Sequence, residues 1–190
     1  MFEQDEKYQE LYREIRDKQQ ELVTYLKNKP SKKVDDYILK NPDGEEIKLS
    51  ELFGDKQELI LVHNMGKSCP YCNLWAHGFI GLVPHFQDRA AFALVSPDPP
   101  EVQKEVIKER GYNFPMFSAD GTTFVSDMGF YDEENNNNMP GFSVFVKNDQ
   151  GEITRTSKDF FGPFDPYNSV WHMFDLLPDG VNKWNPKIKY

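Results

Sequence analysis

The chain has 190 residues, 22 basic and 31 acidic side chains, a formal charge of −9 and two cysteines. That length suits one ordinary domain with an accessory segment, and 15 Phe and 9 Tyr supply a substantial core. The acidic balance, with no compensating run of Lys or Arg, disfavours nucleic acid and anionic membrane surfaces as partners, and two cysteines do not make a disulfide-stapled scaffold.

No apolar run approaches the roughly 20 residues that cross a bilayer. The opening residues MFEQDEKYQE are acidic and polar where a secretory leader is basic and then apolar, so the expected location is cytoplasmic, with no membrane partner. Over residues 3–27 no Pro or Gly intervenes, and Tyr8, Leu11, Ile15, Leu22 and Leu26 recur at helical spacing, which predicts an amphipathic helix stopped by Asn28-Lys29-Pro30. Its heptad register is interrupted at Lys18 and Gln19, so packing in cis, a homodimer seam and a partner-binding face all remain open. Residues 1–34 are therefore expected as a helical extension and 35–190 as the domain.

Within that domain, segments 36–39 and 46–49 flank Asn41-Pro42-Asp43-Gly44, a turn sequence that predicts a hairpin. A short capped helical turn follows at Ser50, then a buried strand over 58–63. Trp75, Phe79, Leu82 and Phe86, spaced by four, three and four, predict a helix over 71–86 weakened by Gly78, Gly81 and Pro84. Strand 90–95, helix 99–110 and an extended piece at 114–118 come next, an alternation that favours an α/β layer with parallel neighbours. The polar run 132–138 reads as a surface loop, 142–147 and 152–156 as a hairpin, and 167–177 as a closing helix.

Chemistry concentrates at Lys67-Ser68-Cys69-Pro70-Tyr71-Cys72, where two thiols sit three residues apart at a strand-to-helix junction. Unpaired amides and aligned peptide dipoles stabilise an anion at a helix start, so Cys69 is expected to be enriched in thiolate. Pro70 suits the first helical position. Cys72, deeper in the helix, would resolve a mixed disulfide formed by Cys69.

These residues resemble the thioredoxin fold, and within it the branch of peroxiredoxins and membrane-anchored TlpA-type oxidoreductases. The likeness spans about residues 36–177. It rests on the strand 59–63, the C-P-Y-C box, Val95-Ser96-Pro97, Phe114-Pro115-Met116-Phe117-Ser118, and Met139-Pro140 before a final strand. The chain is also similar to an uncharacterised bacterial thioredoxin-like family through Cys69-Pro70-Tyr71-Cys72-Asn73-Leu74-Trp75-Ala76.

The resemblance implies a central mixed sheet flanked by helices and a thiol–disulfide oxidoreductase needing no organic cofactor. Cys69 would attack and Cys72 resolve, with a protein or small-thiol disulfide as substrate and a reductase as possible electron donor. It implies a cis Met139–Pro140 bond lining the substrate groove, with Met65 and Phe142 as further lining. It also places His63 where thioredoxins carry a buried acid, as proton acceptor for Cys72. Lys67 is expected to lower the Cys69 pKa or meet an acidic partner, and Tyr71 to be exposed towards substrate.

Three alternatives stand beside it. A thiol peroxidase would oxidise Cys69 to a sulfenic acid, but the hydroxyl and proline that peroxiredoxins place before their cysteine are absent, with Gly66 and Val62 there instead. A metal site on Cys69, Cys72, His63 and His77 or His85 lacks paired ligand spacing, so no metal is expected. A non-enzymatic binding module is the third.

Overall fold

The computed structural model describes residues 5–190. Helix α1 (Glu6–Lys27) is capped by Asp5, whose carboxylate accepts the Tyr8 N–H, and it ends at Asn28. None of its residues is buried, so the helix projects from the domain with its last turn against the sheet edge.

The expected hairpin forms as β2 (Ile38–Lys40) and β3 (Glu46–Lys48), followed by a 3-10 turn over Leu49–Phe53. The buried strand is β4 (Glu58–His63). The single helix expected over 71–86 is two, α2 (Pro70–Ile80) and α3 (Val83–Arg89). The break falls at Gly81 and Leu82, and Pro84 then sits in the first turn of α3, where its missing donor costs nothing.

Strand β5 (Ala91–Ser96), helix α4 (Pro100–Arg110) and strand β6 (Met116–Ser118) form a right-sized crossover unit, and Gly111 ends α4 in the left-handed conformation. Helix α5 (Phe124–Asp127) is too short to leave a periodic signal. The polar run 132–138 is partly ordered, as β7 (Tyr131–Asp132) paired with β8 (Asn137–Asn138). Strands β9 (Gly141–Lys147) and β10 (Ile153–Phe160) make the last hairpin, with a bulge between Arg155 and Ser157, and α6 (Ser169–Asp175) follows.

The main sheet has the order β1-β10-β9-β4-β5-β6-β2-β3, where β1 is Lys32–Val34. Strands β4, β5 and β6 are parallel, and β9 runs antiparallel to β4. Because β1 pairs with β10, the sheet begins ahead of the expected domain start at residue 35.

Side chains alternate across this sheet and build one core on each face. Leu59 and Leu61 of β4 join Phe53, Phe124, Met128, Phe130 and Phe145 on one side. Val62 joins Trp75, Ala76, Phe79, Val106 and Phe114 on the other, where α2 and α4 pack. The architecture is a thioredoxin-like α/β fold whose parallel strands deliver their carboxyl ends, and the chemistry, to one edge.

Candidate functional site: a dithiol at the mouth of a cleft

After β4 the chain turns through residues 64–68, and this loop is held from several directions. Asn64 Oδ1 accepts the Gly66 N–H at 2.8 Å, Asp98 Oδ2 accepts the Lys67 N–H at 2.8 Å, and Arg110 donates to the Lys67 carbonyl at 2.8 Å. Gly66 has φ +113°, and a Cβ there would lie 2.9 Å from Asp98 Oδ1, so only glycine fits both the backbone and the acid that anchors it.

The loop delivers Cys69 to the N-cap of α2. Its sulfur accepts the Cys72 N–H at 3.1 Å, and Pro70 occupies the first helical turn as expected. Both cysteines are free, Cys69 partly exposed and Cys72 buried. A hydrogen bond from the Cys72 thiol, with the backbone amides of Cys72 and Tyr71 and the charge of Arg110, lowers the Cys69 pKa to about 7 against an opposing burial effect. The same bond and its own burial push the Cys72 thiol far up, although the Met65 N–H reaches its sulfur at 3.4 Å. One thiol is therefore prepared as an anion and the other holds a proton beside it.

Cys69 opens onto a cleft of about 680 Å³ lined by Met65, Tyr71, Trp75, Asn137, Pro140 and Phe161. Pro140 is there as expected, but no described peptide bond is cis, so Met139–Pro140 is trans, contrary to the sequence expectation. The trans form is intrinsically favoured by about 0.5–1 kcal/mol. The flanking backbone is satisfied in it: the Met139 N–H donates to the Phe130 carbonyl at 2.7 Å, and the Pro140 carbonyl accepts the Phe161 N–H at 2.9 Å. Met139 packs on the core with Phe130 instead of lining the cleft, and Phe142 lines a separate aromatic cavity with Phe79 and Phe161.

His63 is the largest departure. Its ring stacks on Phe130 at 3.9 Å and Phe124 at 5.7 Å, on the sheet face opposite α2, and its Nε2 shares a 3.0 Å hydrogen bond with Ser143 Oγ. Burial first, then repulsion from Arg155 and Lys158, holds its pKa well below the usual value. The His63 ring thus turns to the face opposite α2, while the residue itself shares the lining of a small pocket with Asn64, Cys72 and Trp75.

Two other expected site residues are occupied within the chain. Lys67 Nζ pairs with Glu105 at 3.0 Å, so the cation acting on Cys69 is Arg110. Tyr71 is half-buried, not exposed: it stacks on Trp171, and its hydroxyl donates to Asn185 Oδ1 at 2.7 Å. The buried Asn73 accepts the Tyr112 hydroxyl at 2.9 Å and donates to the Lys187 carbonyl at 3.1 Å, so the C-terminal tail straps the first turn of α2. Arg110, Asp98, Phe161 and Asn185 carried no sequence signal, because each reaches the site from an element distant in the chain.

The fold places the chain among proteins of thioredoxin-like architecture. The chain belongs to the family described as "Bacterial protein of unknown function (DUF899)", whose model matches residues 4–190. Among solved structures it is similar to peroxidoxin BcpB from Mycobacterium tuberculosis, 24% identical over 68% of this chain and 84% of that one, with TM-score 0.54. It is also similar to reduced Prx3 from Vibrio vulnificus in complex with H2O2, 15% identical over 70% and 88%, TM-score 0.56. A cysteine-to-serine mutant of PrxQ from Xylella fastidiosa is 18% identical over 66% and 84%, TM-score 0.51. At these identities the likeness is one of fold. No curated protein matches the sequence.

Proposed function

We propose that the chain is a thiol–disulfide oxidoreductase acting through Cys69 and Cys72. The observation that carries this reading is the partly exposed Cys69 sulfur at the N-cap of α2, accepting the Cys72 N–H at 3.1 Å, with the second, buried thiol one turn behind it at the mouth of the cleft. The Cys69 thiolate attacks one sulfur of a disulfide substrate, forming a mixed disulfide and releasing the other sulfur as a thiolate. Cys72 loses its proton to that leaving group and attacks Cys69, releasing the second substrate sulfur as a thiolate that takes its proton from solvent and leaving an intramolecular disulfide. Two electrons pass from the dithiol to the substrate, and an external dithiol reductant restores the pair.

The cleft supports a substrate of some bulk. Trp75, Phe161 and Pro140 offer apolar contact beside the sulfur, and Asn137 offers an amide.

Reduction of a peroxide by the same thiolate is a second reading, favoured by the names of the structural neighbours, two of which are called peroxidoxin or bound to H2O2. The decisive experiment incubates the Cys72→Ser variant with an aromatic disulfide and, separately, with H2O2, and reads the products by intact mass. Exchange chemistry predicts a stable mixed disulfide on Cys69, and wild-type protein turning the disulfide over at least about tenfold faster than H2O2. Faster consumption of H2O2, with a sulfenic acid on Cys69, would instead favour the peroxidase.

A further inference from the structure

Helix α1 runs for 22 residues with none of them buried, although Tyr12 is 56%, Ile15 58% and Leu22 49% exposed. Helices owe most of their stability to packing of an apolar face, and one standing alone in water is marginal. Tyr8, Tyr12, Ile15, Gln19, Leu22 and the half-buried Leu26 follow one another by four, three, four, three and four, a heptad seam with one polar layer at Gln19, flanked by the exposed Leu11, Val23 and Tyr25.

A second observation lies at the root of the helix. Leu26, Pro30 and Phe160 form the apolar floor of a cleft of about 200 Å³ between α1 and β10, rimmed by Lys29, Lys32, Arg155 and Lys158. None of these four cations has a carboxylate within ion-pair distance among the described residues. Arg155 and Lys158 are turned onto the Met128 carbonyl, at 2.6 and 3.3 Å. The one acid on the rim, Asp159, is engaged by the Tyr167 hydroxyl at 2.6 Å and the Phe160 N–H at 2.9 Å. Burial, and repulsion from Arg155, Lys29 and Lys32, lower the Lys158 ammonium from its ordinary value. In a chain of charge −9, four unpaired cations around an apolar floor form a receptor for an acidic, partly apolar segment.

The far end of the same helix has that character, with Asp5 and Glu6 beside Tyr8, while Glu10 pairs with Lys7 at 2.8 Å. We propose that α1 pairs antiparallel with α1 of a second copy, so that the acidic first turn of each helix seats in the basic cleft of the other. Centring the pair on Asp17 sets Tyr12 against Leu22, Ile15 against Gln19 and Tyr8 against Leu26, and it brings Asp5 opposite Lys29. The like charges that meet near the midpoint each carry their own acid, Arg16 with Asp17 at 3.9 Å and Lys18 with Glu21 at 2.7 Å. A parallel pair would stack the two acidic ends together and the two clefts together, opposing like charges at both ends.

Sedimentation equilibrium of the full chain tests this. The expected mass is twice the 22.2 kDa of one chain. Ile15→Glu with Leu22→Glu gives a monomer whose Cys69 alkylation rate is unchanged, because the seam lies outside the folded core. Lys29→Glu with Lys32→Glu raises the dimer dissociation constant by about tenfold or more, and adding Asp5→Lys and Glu6→Lys restores it. Spin labels at residue 8 lie about 27 Å apart along an antiparallel seam and within about 10 Å in a parallel one. A wild-type monomer at about 100 µM, a dimer indifferent to the seam variant, failure of the charge swap to restore association, or a short label distance would each overturn the proposal.

Discussion

The two faces of β4 end in titratable groups close in sequence and opposite in condition. On one face Cys69 and Cys72 sit under amide donors and beside a cleft, and the outer thiol is brought down to about 7. On the other, His63 is closed between Phe124 and Phe130 and is held neutral by burial. A low pKa means opposite things in the two places: for the thiol it stabilises the charged form, and for the imidazole it excludes the charged form. The His63 ring is a stacked plug at the end of the central strand, its Nε2 bonded to Ser143 and its Nδ1 buried without a hydrogen-bond partner among the described residues.

The largest expected disturbance breaks the closed side. Gly141 pairs with His63 across the sheet, and a Cβ there would lie 2.3 Å from the Asp159 carbonyl and 2.6 Å from the Phe130 ring. Backbone on one side and the ring that covers His63 on the other leave no room to yield. Gly141→Val should therefore cost about 3 kcal/mol or more of unfolding free energy, read by chemical denaturation. A loss below about 1 kcal/mol would mean that the seal is looser than its packing indicates.

A middle-sized effect separates the two faces by pH. The His63 pKa is depressed in the folded chain relative to the unfolded one, so its stabilising effect is complete above about 6.5 and is lost as pH falls. Between pH 7.5 and 5.5 this single group should lower the stability of the folded chain. His63→Asn should flatten that part of the stability profile and leave the pH dependence of Cys69 alkylation where it was. A shifted alkylation midpoint would return the histidine to the thiol site.

How far all this was legible in the sequence depends on how local each feature is. The bounds of β4, Pro70 in the first turn of α2 and Cys69 at its N-cap involve contiguous residues, and they stand as read. The side of the sheet that His63 takes was not legible, for a physical reason: Leu59, Ile60, Leu61 and Val62 are apolar without alternation, because the strand is covered on both faces. Nothing in such a run says which parity faces α2, so a count of residues back from Cys69 fixed a place in the chain and not a side of the sheet. Met139 went the same way, adjacent to the cleft-lining Pro140 and turned into the other core. Asp98, Arg110 and Asn185 were invisible because the loop after β5, the end of α4 and the C-terminal tail converge on the thiols only after folding.

Arg110 sharpens the comparison with the smallest expected effect. It ends α4, donates to the Lys67 carbonyl at 2.8 Å, and contributes to lowering the Cys69 pKa, although less than the Cys72 thiol and the backbone amides do. With the thiol titrating near 7, alkylation by iodoacetamide should fall roughly tenfold between pH 8 and pH 6. Arg110→Gln keeps a side-chain donor for the Lys67 carbonyl and removes only the charge, so the midpoint should rise by a few tenths of a pH unit while the plateau rate stays level. A midpoint that does not move would assign the thiolate to the helix cap and Cys72 alone. A loss of plateau rate as well would mean that Arg110 acts by holding the loop, with Asp98 as its companion on the other side of Lys67.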